Sequence, residues 1–353
     1  MILLQFIVGI AFLILIHELG HYIAARMVNI EVEEFGIGFP PRIKELFEYK
    51  GTKFTLNWIP LGGFVRPKGE NDPEIEGGLA AASPGARLFV LLAGPAMNLL
   101  AGVIIFAIIF MRIGGPDESQ VIILKIDPES PAEISGLLAG DVITAVNQND
   151  ISGMEMLSAA IQSNLDETID ISVLRGDDTL FLSAVPSSSR PSGKGALGII
   201  MGNPTKQLNI AEAVSAGGFA VYRSVQIILS LPGQMMSGAT QPEEVRIVGY
   251  KGMFDVLANM NERDAIAPDE IAGVNTLSFF ASITVSLGLL NLMPFPALDG
   301  GRILFIIPEV LFRRRVPAKL ENAVHLLGFA FLLMVLVYVN LQDFINPISI
   351  PSP

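Results

Sequence analysis

The chain has no cysteine and only three histidines among its 353 residues. Without cysteine the protein forms no disulfide, uses no thiolate nucleophile and offers no sulfur ligand to zinc. Positive charge is scarce as well, and the net charge of −12 argues against nucleic acid as a partner. Charged residues make up 16% of the chain, whereas 51% is hydrophobic, which exceeds the range of soluble domains. The composition therefore indicates a membrane protein.

Four apolar segments are long enough to cross a bilayer, which needs about 20 mostly apolar residues. A fifth segment, 210–231, contains Glu212 and Arg223, which favours a helix lying in the membrane interface over one that crosses. We expect the first segment to be a retained anchor and not a signal peptide, because no Lys or Arg precedes it and no A-x-A site follows. The four predicted spans are 2–25, 86–111, 275–293 and 323–341.

Lys and Arg in short loops set the orientation of a membrane protein. Residues 26–87, between the first two spans and into the start of the second, carry eight of them, and the short loop after the third span carries five more. Residues 113–274 carry nine Lys and Arg against 21 Asp and Glu over a much greater length. We therefore expect a multi-pass protein of the inner (plasma) membrane. Both basic loops would be cytoplasmic, and the acidic segment and both termini would lie outside.

An H-E-x-x-H pattern, His17-Glu18-Leu19-Gly20-His21, lies within the first apolar segment. A charged side chain at membrane depth costs roughly 3 kcal/mol or more, so ionisable groups at this depth point to a function. Residues four apart share a helix face, so both histidines can bind one zinc ion while Glu18 lies beside it as a general base. Coincidental spacing is the alternative.

A catalytic zinc site takes a third protein ligand and leaves one position for water. The remaining histidine, His325, lies in the fourth span, where packing or a hydrogen bond is the more common role. Asp299 is the better candidate, because it follows two helix-breaking prolines at the end of the third span. Gly300 and Gly301 after it permit a close approach of the chain. A helix-capping aspartate in a plain loop is the alternative.

The H-E-L-G-H motif in a first span, followed by N-x-x-P-x-P-x-L-D-G-G at 291–301, resembles the site-2 protease family of intramembrane zinc metalloproteases. More narrowly, it resembles the bacterial regulator of sigma-E protease group, and the resemblance covers nearly the whole chain. It implies that His17, His21 and Asp299 bind one zinc ion (Zn2+) per chain and that Glu18 activates water. It also implies single-span membrane proteins as substrates, already trimmed by another protease, such as anti-sigma factors or signal-peptide remnants.

Two further segments fit this resemblance. Asn98 ends a Gly-x-x-x-Asn pattern in the second span, similar to one in the family, with polar helix packing as the alternative. Residues 54–67 alternate around a Gly-Gly pair and predict a hairpin, similar to a membrane-dipping β loop that holds substrate by strand addition. An ordinary cytoplasmic hairpin is the alternative. The residues expected to contact substrate are Asn98, Asn291, Phe54, Leu56, Trp58, Gly62 and Gly63.

Residues 121–185 combine strand and helix patterns and predict a compact α+β unit. The stretch S-P-A-E-I-S-G-L-L-A-G-D-V-I at 130–143 resembles a PDZ domain of the bacterial protease type. Such domains bind peptide ends by strand addition, although one that serves only as a spacer or size filter is the alternative. Residues 186–195 have the composition of a flexible linker.

The expected fold is a polytopic α-helical membrane protein of about four transmembrane helices, with an inserted extracytoplasmic α+β PDZ domain and a membrane-associated β hairpin. The expected activity is hydrolysis of peptide bonds within the transmembrane segment of its substrates. A non-catalytic adaptor that displays a PDZ domain and a metal-dependent membrane enzyme of another kind stay open as alternatives. The expected divisions are an N-terminal membrane half (1–112), the PDZ domain (113–186), a linker with the interfacial segment (187–274) and a C-terminal membrane half (275–353).

Overall fold

The computed structural model describes residues 1–190, 195–238, 246–269 and 271–348, so part of the predicted linker, 191–194, lies outside the described residues. The chain divides into two compact units. The first unit combines Met1–Arg112 with Ile210–Pro353, and the second is Ile113–Asn209. The helices are α1 (Ile2–Met27), α2 (Pro84–Ile113), α3 (Pro131–Ile134), α4 (Met154–Gln162), α5 (Ile210–Met236), α6 (Tyr250–Ile266), α7 (Val274–Leu292), α8 (Asp299–Phe312) and α9 (Ala318–Ile345). The strands are β1 (Val32–Tyr49), β2 (Thr52–Pro67), β3 (Gly115–Pro116), β4 (Val121–Ile126), β5 (Val142–Val146), β6 (Asn149–Asp150), β7 (Ile169–Arg175), β8 (Asp178–Ala184), β9 (Ile199–Gly202) and β10 (Thr205–Lys206).

Within the described ranges, five helices are long and apolar enough to cross a membrane: α1, α2, α5, α7 and α9. Four of them contain the predicted spans, except that α7 ends one residue early at Leu292, and α5 contains the segment expected to lie in the interface. In α5, Gly217 lies so close to α2 that an added Cβ would come within 2.5 Å of Val103 O. Val221 of α5 is also buried and lies beside Gly102. The structure thus adds α5 to the helices able to span by length and composition, and the number of crossings stays a prediction.

The helices α1 and α7 run in the same direction. Near their starts, Gly9 of α1 faces the ring of Phe280, where an added Cβ would meet that ring at 2.2 Å. Further along, Ile14 of α1 and Leu287 of α7 line the same cavity. This parallel packing brings the second half of α1 next to the C-terminal end of α7.

The strands β1 and β2 form an antiparallel ribbon that folds back on itself. Residues 34–37 pair with 53–56 on one side and with 63–66 on the other, while 42–49 pair with 52–57. The ribbon is therefore a small sheet of four segments, with 42–49 and 63–67 at its two edges. This arrangement places 53–56 in the interior of the sheet, where both neighbours use its backbone groups.

Glu34 ties this sheet together from a buried position. Thr55 Oγ1 and Arg42 Nη2 donate hydrogen bonds to Glu34 Oε1 at 2.8 and 2.7 Å, and Arg66 Nη1 lies 3.2 Å from Oε2. Burial alone would raise the pKa of Glu34, but these donors hold the pKa below its ordinary value. The carboxylate thus stays charged and joins its own segment to the other three.

The second unit is built on a six-stranded antiparallel sheet, counted over the described residues, in which β8, β7, β5, β4 and β9 follow in that order and β6 pairs with β5. Its apolar core includes Ile123, Leu157 and Ile171, all fully buried, so α4 packs on the sheet. β9 pairs with β4, so the sheet continues past residue 186, where the domain was expected to end. The difference arises because the chain returns after the linker to add an edge strand, which local patterning does not show.

Candidate active site

Three predicted ligand residues converge within the first unit. One ligand atom from each of His17, His21 and Asp299 lies within 4.8 Å of the others, and a metal ion could be held between them. The two imidazoles extend from one face of α1, since they are four residues apart. Asp299 is the first residue of α8, where the helix N-terminus favours a negative charge.

The distances in this cluster fit zinc. His17 Nε2 lies 3.1 Å from His21 Nε2, and these nitrogens lie 3.2 and 3.3 Å from Asp299 Oδ2. Tetrahedral zinc with ligands at about 2.0–2.1 Å would hold its donor atoms about 3.3 Å apart. Asp299 Oδ2 is buried and has no hydrogen-bond partner among the described residues. Such close lone pairs repel one another unless a proton or a cation lies between them.

Contacts with α2 orient both imidazoles. Nδ1 of His21 donates to Val90 O at 2.8 Å, so in the neutral ring the lone pair lies on Nε2, which faces the cluster. The fully buried carboxamide of Asn98 lies against His17, with Nδ2 3.2 Å from His17 Nδ1 and with Oδ1 lacking a partner among the described residues. The two ends of a carboxamide have the same shape, and turning it over lets Oδ1 accept a proton from Nδ1. In that arrangement, His17 also presents the lone pair of Nε2 to the cluster.

The turn between α7 and α8 determines where Asp299 lies. Pro294 and Pro296 prevent α7 from continuing, and Ala297 has a positive φ of 77°. An added Cβ on Gly300 or Gly301 would come within 2.3 Å of Leu292 O or 2.1 Å of Phe295 O, so these positions require glycine. The backbone therefore folds tightly enough to begin α8 directly beside α1.

Glu18 faces the same space as the cluster and contacts the ribbon. Val65 N donates to Glu18 Oε2 at 2.9 Å, from the edge segment 63–67. Glu18 and the three cluster residues all line one cavity of about 510 Å³. This cavity is also lined by Gly63, Phe64 and Val65, so the open edge of the ribbon borders the space next to the candidate base.

The structure separates the residues that were expected to contact substrate. Asn291 and Gly63 line the cavity. Asn98 is not among the described residues that line it; it is fully buried and its carboxamide lies against His17, so its contact with substrate stays a prediction.

The ribbon residues Phe54, Leu56, Trp58 and Gly62 are not among the described residues that line the cavity. Phe54 stacks between Phe35 and Phe47 at ring distances of 5.4 and 4.5 Å, inside the sheet. Trp58 is exposed, and Gly62 lies against Phe39. A free strand edge is needed for strand addition, and the edge that borders the cavity is 63–67.

Three contacts at the site were not anticipated from the sequence. Val65 acts through its backbone, which leaves no signal in the side-chain pattern. Glu70 and Arg302 form an ion pair at the cavity wall, and only their opposite charges could have hinted at it. His325 accepts a hydrogen bond from Ala297 N at 2.9 Å, which agrees with the non-ligand role that is more common for a lone histidine in a span.

Several bacterial proteins are similar to this chain over nearly its full length. A protein of Clostridium perfringens with the name "Putative zinc metalloprotease" is 33% identical over 345 residues, covering 95% of this chain and 96% of that protein. One of Campylobacter jejuni with the same description is 31% identical and covers 95% and 90%. Among solved structures, the PDZ domain of an SdrC-like protein from Listeria monocytogenes is 23% identical and covers 24% of this chain and 87% of its own, with a TM-score of 0.22. The PDZ identity of the second unit therefore stays a prediction.

A model of peptidase family M50 matches residues 5–335, a range that contains both motifs and the whole second unit. Together with the full-length relatives, this match confirms the resemblance drawn from the two motifs. The five apolar helices agree with a multi-pass membrane protein. The protein belongs to peptidase family M50, the family of the site-2 proteases.

Proposed function

We propose that this protein is a zinc metalloprotease that cleaves peptide bonds within the transmembrane segment of single-span membrane proteins. The observation that carries the proposal is the convergence of His17 and His21, from the apolar helix α1, with Asp299 next to Glu18. An adaptor without catalysis would need none of these ionisable groups at membrane depth. The names of the full-length relatives support the same metal and activity.

In this proposal the two Nε2 atoms and Asp299 Oδ2 hold the metal, because they face one another at 3.1–3.3 Å. Zinc in such a site polarises a carbonyl and makes water nucleophilic near neutral pH. Glu18 accepts the proton of the attacking water and returns it to the leaving amine. The carboxylate reaches this role from α1, and its contact with Val65 N keeps it turned towards the ribbon edge.

A substrate helix hides its carbonyls in hydrogen bonds and must become extended before cleavage. We place the extended substrate along the edge segment 63–67, because this edge borders the cavity and pairs on only one side. Backbone groups of alternate residues point the same way, so Gly63 presents its groups on the same side as Val65. Asn291 lines the same cavity and can donate to the substrate backbone.

The ribbon also offers a surface for lipid. Ile43, Phe47 and Trp58 are large apolar side chains that lie exposed on its outer part. Aromatic and aliphatic side chains exposed together mark sites of membrane or protein contact. We propose that this part dips into the bilayer and brings the edge segment to the depth of the substrate.

We further propose that the second unit selects substrates, as a PDZ domain that binds a newly made peptide end or rejects untrimmed proteins by size. The edge strand β9 is the element to which a peptide could add. Deleting residues 121–202 should broaden substrate choice and leave cleavage of a pre-trimmed substrate intact. Loss of cleavage of a pre-trimmed substrate in the truncated enzyme would contradict this role.

Zinc content paired with cleavage tests the activity. Wild type, Glu18→Gln and Asp299→Ala are purified in detergent and assayed with a single-span test substrate, with the exposed Glu74→Gln as a matched control. We expect Glu18→Gln to keep one zinc per chain and lose cleavage, whereas Asp299→Ala loses both. Normal turnover in Glu18→Gln would overturn the mechanism. Absence of both zinc and cleavage in wild type would favour the adaptor.

The absence of cysteine makes the proposed orientation directly testable. Single cysteines at Lys50, Asp178 and Ser237 are labelled in intact cells with a membrane-impermeant maleimide. We expect label at Asp178→Cys and none at Lys50→Cys until the cells are opened. If α5 does not cross, Ser237→Cys reacts like Asp178→Cys. The reverse pattern for the first two positions would overturn the orientation.

A further inference from the structure

One face of α9 packs against the turn that leads to Asp299. His325, Gly328 and Phe331 follow one another at intervals of three residues, so they lie on one side of the helix. Gly328 is close enough that an added Cβ would lie 2.4 Å from Pro296 Cβ, and the ring of Phe331 lies 5.7 Å from that of Phe295. The turn is thus held from outside by a helix that contributes no atom to the metal cluster.

The hydrogen bond between His325 and this turn can have only one direction. Ala297 N lies 2.9 Å from His325 Nδ1, and a backbone N–H can only donate. Nδ1 must therefore accept, which requires a neutral ring with its proton on Nε2. Among the described residues Ala297 N has no backbone acceptor, and the chain around it is broken by Pro294 and Pro296. His325 therefore satisfies a donor that the turn itself leaves open.

Asp299 follows Ala297 by two residues, so the shape of the turn decides where the carboxylate lies. A non-glycine residue with positive φ is strained and persists only when its surroundings hold it. His325 supplies the directional part of that restraint, whereas Gly328 and Phe331 supply packing. A change in the conformation of Ala297 would rotate the start of α8 and move Asp299 Oδ2 away from the two histidine nitrogens.

We propose that His325 is a positioning residue that acts as a hydrogen-bond acceptor and not as a ligand: through Ala297 N it fixes the turn that presents Asp299 to the metal. This inference rests on the proposed function, since the metal bound at His17, His21 and Asp299 is what the positioning serves. The proposed role of His325 differs from a packing role, because it depends on one acceptor atom, Nδ1, and not on the shape of the ring.

Two variants of the full-length protein separate the acceptor from the ring. His325→Leu keeps an apolar side chain of similar size and removes the acceptor. His325→Asn places Oδ1 on Cγ, the carbon that carries Nδ1 in histidine, and so restores an acceptor at nearly the same point. Leu326→Ala, at an exposed neighbouring position on α9, is the matched control.

Metal affinity is measured on purified protein by competition between Zn2+ and a chelator, and the Co2+-substituted protein is examined by visible absorption. We expect His325→Leu to bind Zn2+ about ten-fold or more weakly, as for other residues that orient a ligand. Its Co2+ spectrum should also shift, while His325→Asn and Leu326→Ala should resemble wild type. Equal affinity and an unchanged spectrum in all four proteins would overturn the inference. Equal loss in His325→Leu and His325→Asn would also overturn it, because the ring and not the acceptor would then matter.

Amide exchange of the turn tests the hydrogen bond without any metal. In metal-free wild type we expect the Ala297 amide to exchange slowly, and we expect the same slow exchange in metal-free His325→Asn. This measurement does not require the His325→Leu variant to fold. Rapid exchange of this amide in wild type would overturn the inference. Failure of wild type to bind Zn2+, with a protected Ala297 amide, would overturn the proposed function and leave only the hydrogen bond.

Discussion

Replacement of Gly94 by alanine should displace His21 without altering any ligand. An added Cβ at this position of α2 would lie 2.3 Å from His21 Nε2 and 2.6 Å from Cε1. Ordinary contacts between non-bonded heavy atoms are about 3.5–4.0 Å, so the imidazole must move by about 1 Å. The atom that moves is the one proposed to bind zinc.

The cost of this displacement can be estimated from overpacking. Forcing an extra methyl group into a filled site costs about 1–3 kcal/mol. Because the bound metal holds the ring in its original place, this cost appears in the metal affinity, where it equals about 5- to 150-fold in Kd. Helix propensity acts in the opposite direction, since alanine is better than glycine in a helix by about 1 kcal/mol. The variant should therefore fold well and bind zinc poorly.

The assay is Zn2+ competition with a chelator on purified Gly94→Ala, alongside thermal unfolding of the metal-free protein. Gly218→Ala is the matched control, because Gly218 also lies within an apolar helix and an added Cβ meets no atom within 4 Å. We expect only Gly94→Ala to bind Zn2+ more weakly, with a larger Kd. Equal Kd values for the two variants and wild type would refute the placement of His21 against α2.

Three further predictions address other parts of the molecule. Asn98→Leu should weaken Zn2+ binding about ten-fold in the chelator assay, because His17 Nδ1 loses its partner, and unchanged binding would remove Asn98 from the site. Val65→Pro should reduce kcat/KM for a test substrate at unchanged zinc content, because the edge loses the N–H that faces Glu18. An edge strand tolerates proline, so the ribbon should keep its fold. Unaltered kinetics would refute substrate pairing at this edge. The Arg175 guanidinium holds the pKa of Asp141 below its ordinary value, so its stabilisation is full above about pH 4 and is lost as pH falls further. Hydrogen-exchange protection factors of residues 113–190 in the full-length protein should therefore fall below that pH in wild type, and Asp141→Asn should flatten this dependence.

The site was predictable where chemistry follows spacing along the chain. His17 and His21 lie four apart in a helix, and this alone places both imidazoles on one face. Asp299 could be assigned as well, because the prolines before it predict a break in the helix and the glycines after it permit a close approach of the backbone. The convergence of Asp299 with the two histidines depends on the tertiary structure. The sequence indicated it only because both motifs occur together in a known family.

Other features depended on pairing between distant segments, which local patterns do not contain. Residues 53–56 and 63–67 look alike as strands, yet one stretch lies inside the small sheet and the other forms its edge. β9 joins the second unit after a linker, so the end of its sheet could not be read from 121–185. The contact of Asn98 with His17 could not be predicted, because a buried amide in a span looks the same whether it meets a substrate or a histidine.

The candidate ligands come from opposite ends of the chain, with Asp299 about 280 residues after His21. At about 5–20 residues per second of synthesis, Asp299 is made roughly 15–60 s after His21. A growing chain therefore holds an incomplete cluster until the inserted unit and α7 have been made. Under the proposed function, a nascent chain that ends before Asp299 lacks the third metal ligand and is therefore inactive.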